Sequence, residues 1–176
     1  MYKKYIKRIL DFVISTILFI LLLPLIIIIY LITFFDLGLP LHNILREREG
    51  KNKKEFIMYK IRTKKLPNNR DYSKISYVID RFRLNELPQL LNVIKGDMSL
   101  VGPRPFIPKE KLPDGKISEK RYLVKPGLTG LAQVNGGRTI THKDKLKYDV
   151  IYYDNLSFLL DLKIILKTIV VFFKDF

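Results

Sequence analysis

The sequence predicts an α+β chain, mainly helical, with an N-terminal membrane helix interrupted by a proline, a small β-hairpin and interfacial amphipathic helices. Three observations predict it. "FVISTILFILLLPLIIIIYLITFF", Phe12 to Phe35, is 24 residues without a charge and carries Pro24 near its middle. "HNILRE" and "EFIMYKIRT" flank the turn-forming stretch Gly50-Lys51-Asn52-Lys53-Lys54. "LSFLLDLKIILKTIVVFFKDF", Leu156 to Phe176, is apolar around most of a helical circumference, with Lys163, Lys167 and Lys174 on one face.

The first run exceeds the roughly 20 residues a helix needs to span a bilayer. It is too long for a signal-peptide core and has no small-residue cleavage site behind it. Pro24 lacks the N–H that would continue the ladder, leaving two halves of about half a bilayer each at ~1.5 Å per residue. Lys3, Lys4, Lys7 and Arg8 precede the run, and Arg46, Arg48, Lys51, Lys53 and Lys54 follow it. Basic charge on both sides gives the positive-inside rule no direction. A helix that breaks at Pro24 and returns to the same face satisfies both flanks; a kinked transmembrane helix is the other reading.

Further along, the two short apolar segments around Gly50 read as a hairpin. Residues 64 to 74, with Pro67-Asn68-Asn69, read as a loop. "ISYVIDRFR" reads as a helix. "NELPQLLNVIKG" reads as another, with Asn85 as N-cap, Glu86 in the first turn, Pro88 in the permissive start and Gly96 as the stop. "DMSLVGPRPFIP" and "VKPGLTGLAQVNGG" read as shaped loops, and "KDKLKYDVIYYDN" as a charged helix. The last segment fits a helix lying in a membrane interface, or a core helix with a narrow solvated stripe. There is no internal repeat, and no boundary demands a second folded domain.

Composition narrows the partners. Thirty-two Lys and Arg against 17 Asp and Glu give a formal +15, which favours anionic partners: acidic headgroups, phosphorylated substrates or nucleic acid. Nucleic acid gives no reason for the long apolar run. Cysteine is absent and histidine limited to His42 and His142, so thiolate and histidine-rich metal sites are excluded. A metal here would be a hard ion on carboxylates, most simply Mg²⁺. Glu86 at a helix start, Arg104 between Pro103 and Pro105, and Arg138 after two glycines form a candidate anion and metal constellation. Helix N-termini and arginine forks both favour phosphate. Taken singly, each also reads as an ordinary first-turn acid, surface ion pair or turn neighbour.

The succession "KRILDFVIS", "FIMYKIRT", "NELPQLLNVIKGDMSLVGPRP", "KPGLTGLAQVNG" and "YDVIYYDNLSFLLDLKIILKT" resembles the bacterial sugar transferase family, the small monotopic polyprenyl-phosphate phosphoglycosyl transferases. The resemblance covers nearly the whole chain. It implies a re-entrant membrane helix over residues 1–35, hinged at Pro24, and a cytoplasm-facing catalytic domain over 36–176 ending in an interfacial helix. It places the protein on the cytoplasmic face of the bacterial inner membrane. The implied reaction moves a phosphosugar from a UDP-sugar to polyprenyl (undecaprenyl) phosphate with Mg²⁺ and releases UMP, the first membrane step in assembling a glycan. Implied partners are those two substrates, anionic lipid and other membrane enzymes of the glycan pathway.

By position, the resemblance makes Glu86 the metal-binding acid and Arg104 a phosphate contact. It adds Lys60, Arg62 and Arg138 as further phosphate-binding residues, with Asp149 and Tyr152 in the wall of the site. Asn85 stands where the family has a nucleophilic aspartate, and Leu23 stands before Pro24 where many members have serine. An amide at position 85 raises the alternative of a catalytically impaired homologue that binds substrate or partners an active transferase. On the resemblance alone, Asn85→Asp is expected to raise turnover.

Overall fold

The computed structural model describes residues 2–37, 46–63, 73–108, 119–137 and 139–174. Its long helix, α1, runs Lys7–Leu37 and continues through Pro24. The interruption expected at Pro24 is therefore not a break in the helix: proline removes one N–H from the ladder, and the bonds on either side persist. Only the two ends of α1 are buried, at Asp11 and Ser15 and again at Ile29, Thr33 and Leu37. The stretch between, with Ile20 and Leu21, is exposed.

Both ends are held by specific polar contacts. Arg8, read from sequence as a solvated flank, donates to the carbonyls of Val93 and Ile94 at 2.6 and 2.7 Å. It thereby satisfies acceptors that a helix end leaves open. Asp11 accepts from the Ser99 hydroxyl (2.7 Å) and the Leu100 N–H (3.1 Å). Lys7 pairs with Asp161 at 2.7 Å, both side chains nearly buried. At the far end Asp36 accepts from the hydroxyls of Ser73 and Ser76.

The hairpin is present: β1 (Arg46–Glu49) pairs antiparallel with β2 (Glu55–Met58) in the register Arg46↔Met58 to Glu49↔Glu55. A 3₁₀ turn at Lys51–Lys53 joins them. Helix α2 (Lys74–Arg81) starts at Ser73, whose hydroxyl accepts from the Ser76 N–H. A 3₁₀ segment, Leu84–Gln89, leads into α3 (Leu90–Lys95). Asn85 is not the cap of this unit. The residue before the 3₁₀ segment is Arg83, in the left-handed region at φ 53°, and the Asn85 side chain is engaged elsewhere. Gly96, with φ 93°, ends α3 as expected.

Two segments expected to be irregular contain short strands. β3 (Ser99–Val101) and β4 (Gly127–Thr129) pair in parallel, Ser99↔Gly127 and Val101↔Thr129. Gly127 permits the approach: a Cβ there would lie 2.1 Å from the Gly102 nitrogen. After β4 come α4 (Leu131–Val134), α5 (His142–Asp154) and α6 (Phe158–Lys174). The core between them is Val101, Val134, Tyr152, Leu156 and Ile164. A second cluster, Ile29, Ile61 and Ile79, seats the end of α1 on α2. Buried Asn92 joins the hairpin to α3, accepting from the Tyr59 N–H and donating to the Ile57 carbonyl.

Helix α6 divides lengthwise. Asp161, Ile164, Thr168 and Val171 turn toward the body, while Leu162, Leu166, Ile169 and Phe173 are exposed. At 100° per residue Lys163 and Lys167 fall at the boundary between the two faces, and Lys167 donates to Asn135 Oδ1 at 2.6 Å. The expected loop at 64–74 lies mostly outside the described residues, as do Arg138 and His42.

Candidate active site

A cleft of about 310 Å³ opens between the hairpin, the 3₁₀ segment, the Pro103–Ile107 loop and α5. Five basic side chains line it: Arg48, Arg83, Arg104, His142 and Lys145. Its acids are Glu86 and Asp149, and the amides of Gln89 and Gln133 complete the polar set. Such a lining suits a ligand carrying more than one negative charge together with hydrogen-bonding groups. The Gln133 side-chain oxygen, Oε1, is buried without a hydrogen-bond partner among the described residues, so a donor on a bound ligand would satisfy it.

Each lining group is set by its element. Glu86 lies in the first turn of the 3₁₀ segment, and its carboxylate is 3.3 Å from the Lys60 ammonium. His142, Lys145 and Asp149, spaced i, i+3 and i+7, share the cleft face of α5. Arg121 holds the loop behind Arg104. It donates to the Arg104 carbonyl at 2.6 Å, stacks on the Phe106 ring at 3.4 Å and pairs with Asp149 at 3.5 Å. Burial pushes the Asp149 carboxyl up to about 6, and the neighbouring Arg121 only partly offsets it. Tyr122, next in sequence, is pushed up to about 12 by burial and by its hydrogen bond to Glu49.

The expected site residues do not all meet in one place. Glu86, Arg104 and Asp149 do meet in the cleft, with Lys60 directly behind Glu86. Tyr152 is instead a core strut: its hydroxyl lies 2.9 Å from the Val101 carbonyl and 2.8 Å from Asp161, tying α5 to β3 and α6. Asn85 has no exposed surface. It lies behind the wall, its amide donating to Asp80 at 2.6 Å. Arg62 is half-buried and outside the residues lining the cleft. Sequence reasoning missed Arg48, His142, Lys145, Gln133 and Arg121; the periodicity of the three α5 residues is the one local signal that pointed to any of them.

The bacterial sugar transferase family model matches residues 2–175. The chain belongs to that family. It is 44% identical over 132 residues to the uncharacterized sugar transferase EpsL of Bacillus subtilis (strain 168), covering 69% of this chain and 65% of EpsL. It is 32% identical to the UDP-galactose-lipid carrier transferase of Erwinia amylovora, over 97% of this chain and 41% of that protein. A third relative is the UDP-glucose:undecaprenyl-phosphate glucose-1-phosphate transferase of Xanthomonas campestris pv. campestris, at 34% over 71% of this chain and 30% of the relative. The chain thus spans less than two thirds of the length of these relatives. Helix α1 is long and apolar enough to cross a membrane.

Proposed function

We propose that this chain transfers a phosphosugar from a UDP-sugar to polyprenyl phosphate and releases UMP. The observation that carries the proposal is the cleft that Arg48, Arg83, Arg104, His142 and Lys145 line together with Glu86. A nucleotide diphosphate fits a cleft lined by Arg48, Arg83, Arg104 and Lys145, whose charges favour the charge that builds on the departing UMP. In the net reaction the sugar-side phosphorus loses its bond to the UMP oxygen and gains one to the acceptor phosphate. Asn85 lies behind the wall, so its amide removes no group from the cleft lining, which favours the active reading over an impaired homologue.

Among the described residues no three or more acidic, histidine or cysteine side chains cluster to form a metal cage. Mg²⁺ does not require one, since it binds through one or two carboxylates with substrate phosphates and water. Glu86 fits that requirement; Asp149, buried against Arg121, does not. Bound at Glu86, the ion would supply neutralisation of diphosphate charge. Arg104 and Lys145 orient the same phosphates, and Arg121 keeps the Arg104 loop in place.

The attachment of α1 supports the re-entrant reading. A straight helix would separate Arg8 and Ile29 by about 31 Å at ~1.5 Å per residue. Arg8 is bound at Ile94, and the cluster that Ile29 joins packs against Leu87; these two points on the body are much closer, since seven residues of mixed 3₁₀ and α structure span about 10–14 Å. A bend at Pro24 closes the difference and leaves the exposed middle of α1 for acyl chains. With the apolar face of α6 in the interface, the body sits on one side of the membrane, the cytoplasmic side of the bacterial inner membrane. Anionic headgroups then meet the basic surface, and membrane enzymes of the same glycan pathway work beside it.

The test is UMP release by the full chain in nanodiscs, with Mg²⁺, polyprenyl phosphate and a panel of UDP-sugars. UMP is expected with at least one donor, and Glu86→Gln is expected to abolish it. Silence with every donor refutes the transferase; full activity of Glu86→Gln refutes the metal assignment.

A further inference from the structure

The bend between α2 and the 3₁₀ segment is made by an arginine where glycine is the usual residue. Arg83 follows the C-terminus of α2 at φ 53° and ψ 21°, the left-handed region in which helices commonly end. Glycine enters that region freely, whereas a residue with a Cβ meets a neighbouring carbonyl oxygen. A strained residue raises the question of what its side chain supplies. The Arg83 guanidinium makes no hydrogen bond or ion pair to any described residue; it is exposed, and the residue lines the cleft.

The two neighbours of Arg83 put it at the edge of the cleft nearest to lipid. The Phe82 ring lies 6.2 Å, centroid to centroid, from the Phe172 ring near the end of α6. Leu84 packs on the cluster of Ile29, Ile61 and Ile79, which seats the part of α1 beyond Pro24. Arg83 therefore stands between the two helices whose exposed apolar faces are read above as facing the bilayer. On α2 and at its end, Ile75, Val78 and Phe82 are exposed and share one side at 100° per residue. This apolar strip ends at Arg83. A strip leading to an unpaired cation at the mouth of a polar cleft matches a lipid that carries a phosphate at its end.

We infer that Arg83 receives the phosphate of the polyprenyl acceptor as it enters from the membrane, with the polyprenyl chain along Ile75, Val78 and Phe82. The inference rests on the transferase reading and divides the cations of the cleft. Arg104 and Lys145 hold the diphosphate of the donor, and Arg83 meets the acceptor at the lipid edge. A guanidinium suits that task because it grips a phosphate through two parallel N–H bonds. The Glu86 N–H donates to the Arg83 carbonyl at 3.0 Å, so one turn of chain carries both the acceptor's arginine and the acid assigned to the donor's metal. A right-handed residue at 83 would continue α2 instead of opening this turn.

The experiment compares wild type, Arg83→Gly and Arg83→Gln as full chains in nanodiscs of phosphatidylcholine. Thermal unfolding is recorded with polyprenyl phosphate, with unphosphorylated polyprenol and with neither, and UMP release is followed as each substrate is varied. Polyprenyl phosphate is expected to raise the Tm of the wild type, polyprenol to leave it unchanged, and both variants to lose the rise. In each variant kcat/KM for the acceptor is expected to fall about 10- to 100-fold, the scale of one charge-assisted contact. The loss for the UDP-sugar is expected to be at least about fivefold smaller, since Arg48, Arg104 and Lys145 also line its site. Without ligand, Arg83→Gly relaxes the left-handed residue and should unfold at or above the wild-type Tm, so its lost turnover is not lost fold. Arg83→Gln keeps the strained backbone and the length without the charge, and so repeats the test if Arg83→Gly folds poorly.

Equal losses for the two substrates overturn the inference, as does a Tm rise with polyprenyl phosphate that survives in both variants. An Arg83-dependent rise of the same size with phosphatidylglycerol overturns the assignment to the acceptor. If the wild type releases no UMP while polyprenyl phosphate still raises its Tm through Arg83, the transferase reading fails and the lipid-phosphate site stands. If the wild type releases UMP and neither variant loses selectively for the acceptor, the site fails and the transferase reading stands.

Discussion

Asp161→Asn tests how much of the fold depends on one buried carboxylate. Asp161 accepts from Tyr2 at 2.5 Å and Lys7 at 2.7 Å on one oxygen, and lies 2.8 Å from the Tyr152 hydroxyl on the other. It therefore joins the N-terminal segment, α5 and α6. Asparagine keeps the shape, loses the charge and turns one acceptor into a donor. The Lys7 ammonium, its side chain 12% accessible, is left with Asp11 at 3.9 Å as its ion-pair partner among the described residues. Removing one member of a buried pair costs about 3–5 kcal/mol, a large share of the ~5–15 kcal/mol that holds a domain together. In a chain of this size each kcal/mol moves Tm by about 2–4 °C, so a loss of about 6–20 °C is expected. The assay is circular dichroism melting at ~222 nm in nanodiscs, which needs no tryptophan. Removing both charges together, with Lys7→Met and Asp161→Leu, should cost less than Asp161→Asn alone. A Tm within about 2 °C of wild type for Asp161→Asn would refute the reasoning.

Two further predictions concern the site and the strands beneath it. The Asp149 carboxyl, pushed up to about 6 by burial, binds its proton more tightly folded than unfolded. Its contribution to stability is therefore full below about pH 4 and is lost as pH rises through about 6, a fall of about 3 kcal/mol. Comparing unfolding of wild type and Asp149→Asn between about pH 4 and 7 should show that fall in the wild type alone; parallel curves would contradict it. Gly127→Ala places a methyl group 2.1 Å from the Gly102 nitrogen and 2.4 Å from the Thr129 carbonyl oxygen. Backbone must shift to admit it, and a loss above about 3 kcal/mol is expected in the same melts. A neutral effect would show that β3 and β4 can separate without cost.

The helices and the hairpin were legible because their signals are local. Apolar runs, the turn residues around Asn52 and the Gly96 stop are each written within a few positions. β3 and β4 were not legible: three-residue strands carry almost no pattern, and their pairing joins segments 26 or more residues apart through glycines that read equally well as turns. Asn85 was taken for a cap because its residue type suits one. The left-handed Arg83 and the hydrogen bond of the Asn85 amide to Asp80, five residues before it, decide otherwise. Arg8 and Lys7 were taken for membrane flanks, since charge beside an apolar run ordinarily stays in water; here their partners lie 85 and 154 residues away. The same split holds at the site. Glu86, Arg104 and Asp149 came from motif position, whereas Arg48 and Lys145 reach the cleft only through tertiary packing, and Arg121 acts through the loop that it holds.

The ties on α1 also impose an order of events on synthesis. Helix α1 is made before its partners, with Lys7, Arg8 and Asp11 at its start: Val93 follows Arg8 by 85 residues and Asp161 follows Lys7 by 154. At a ribosomal pace of about 5–20 residues per second, Lys7 waits on the order of 10–30 s for its partner. Through that interval the charged start of α1 lacks the partners that bury it in the finished fold. The ties of α1 to the body are thus complete only once α6 has been made.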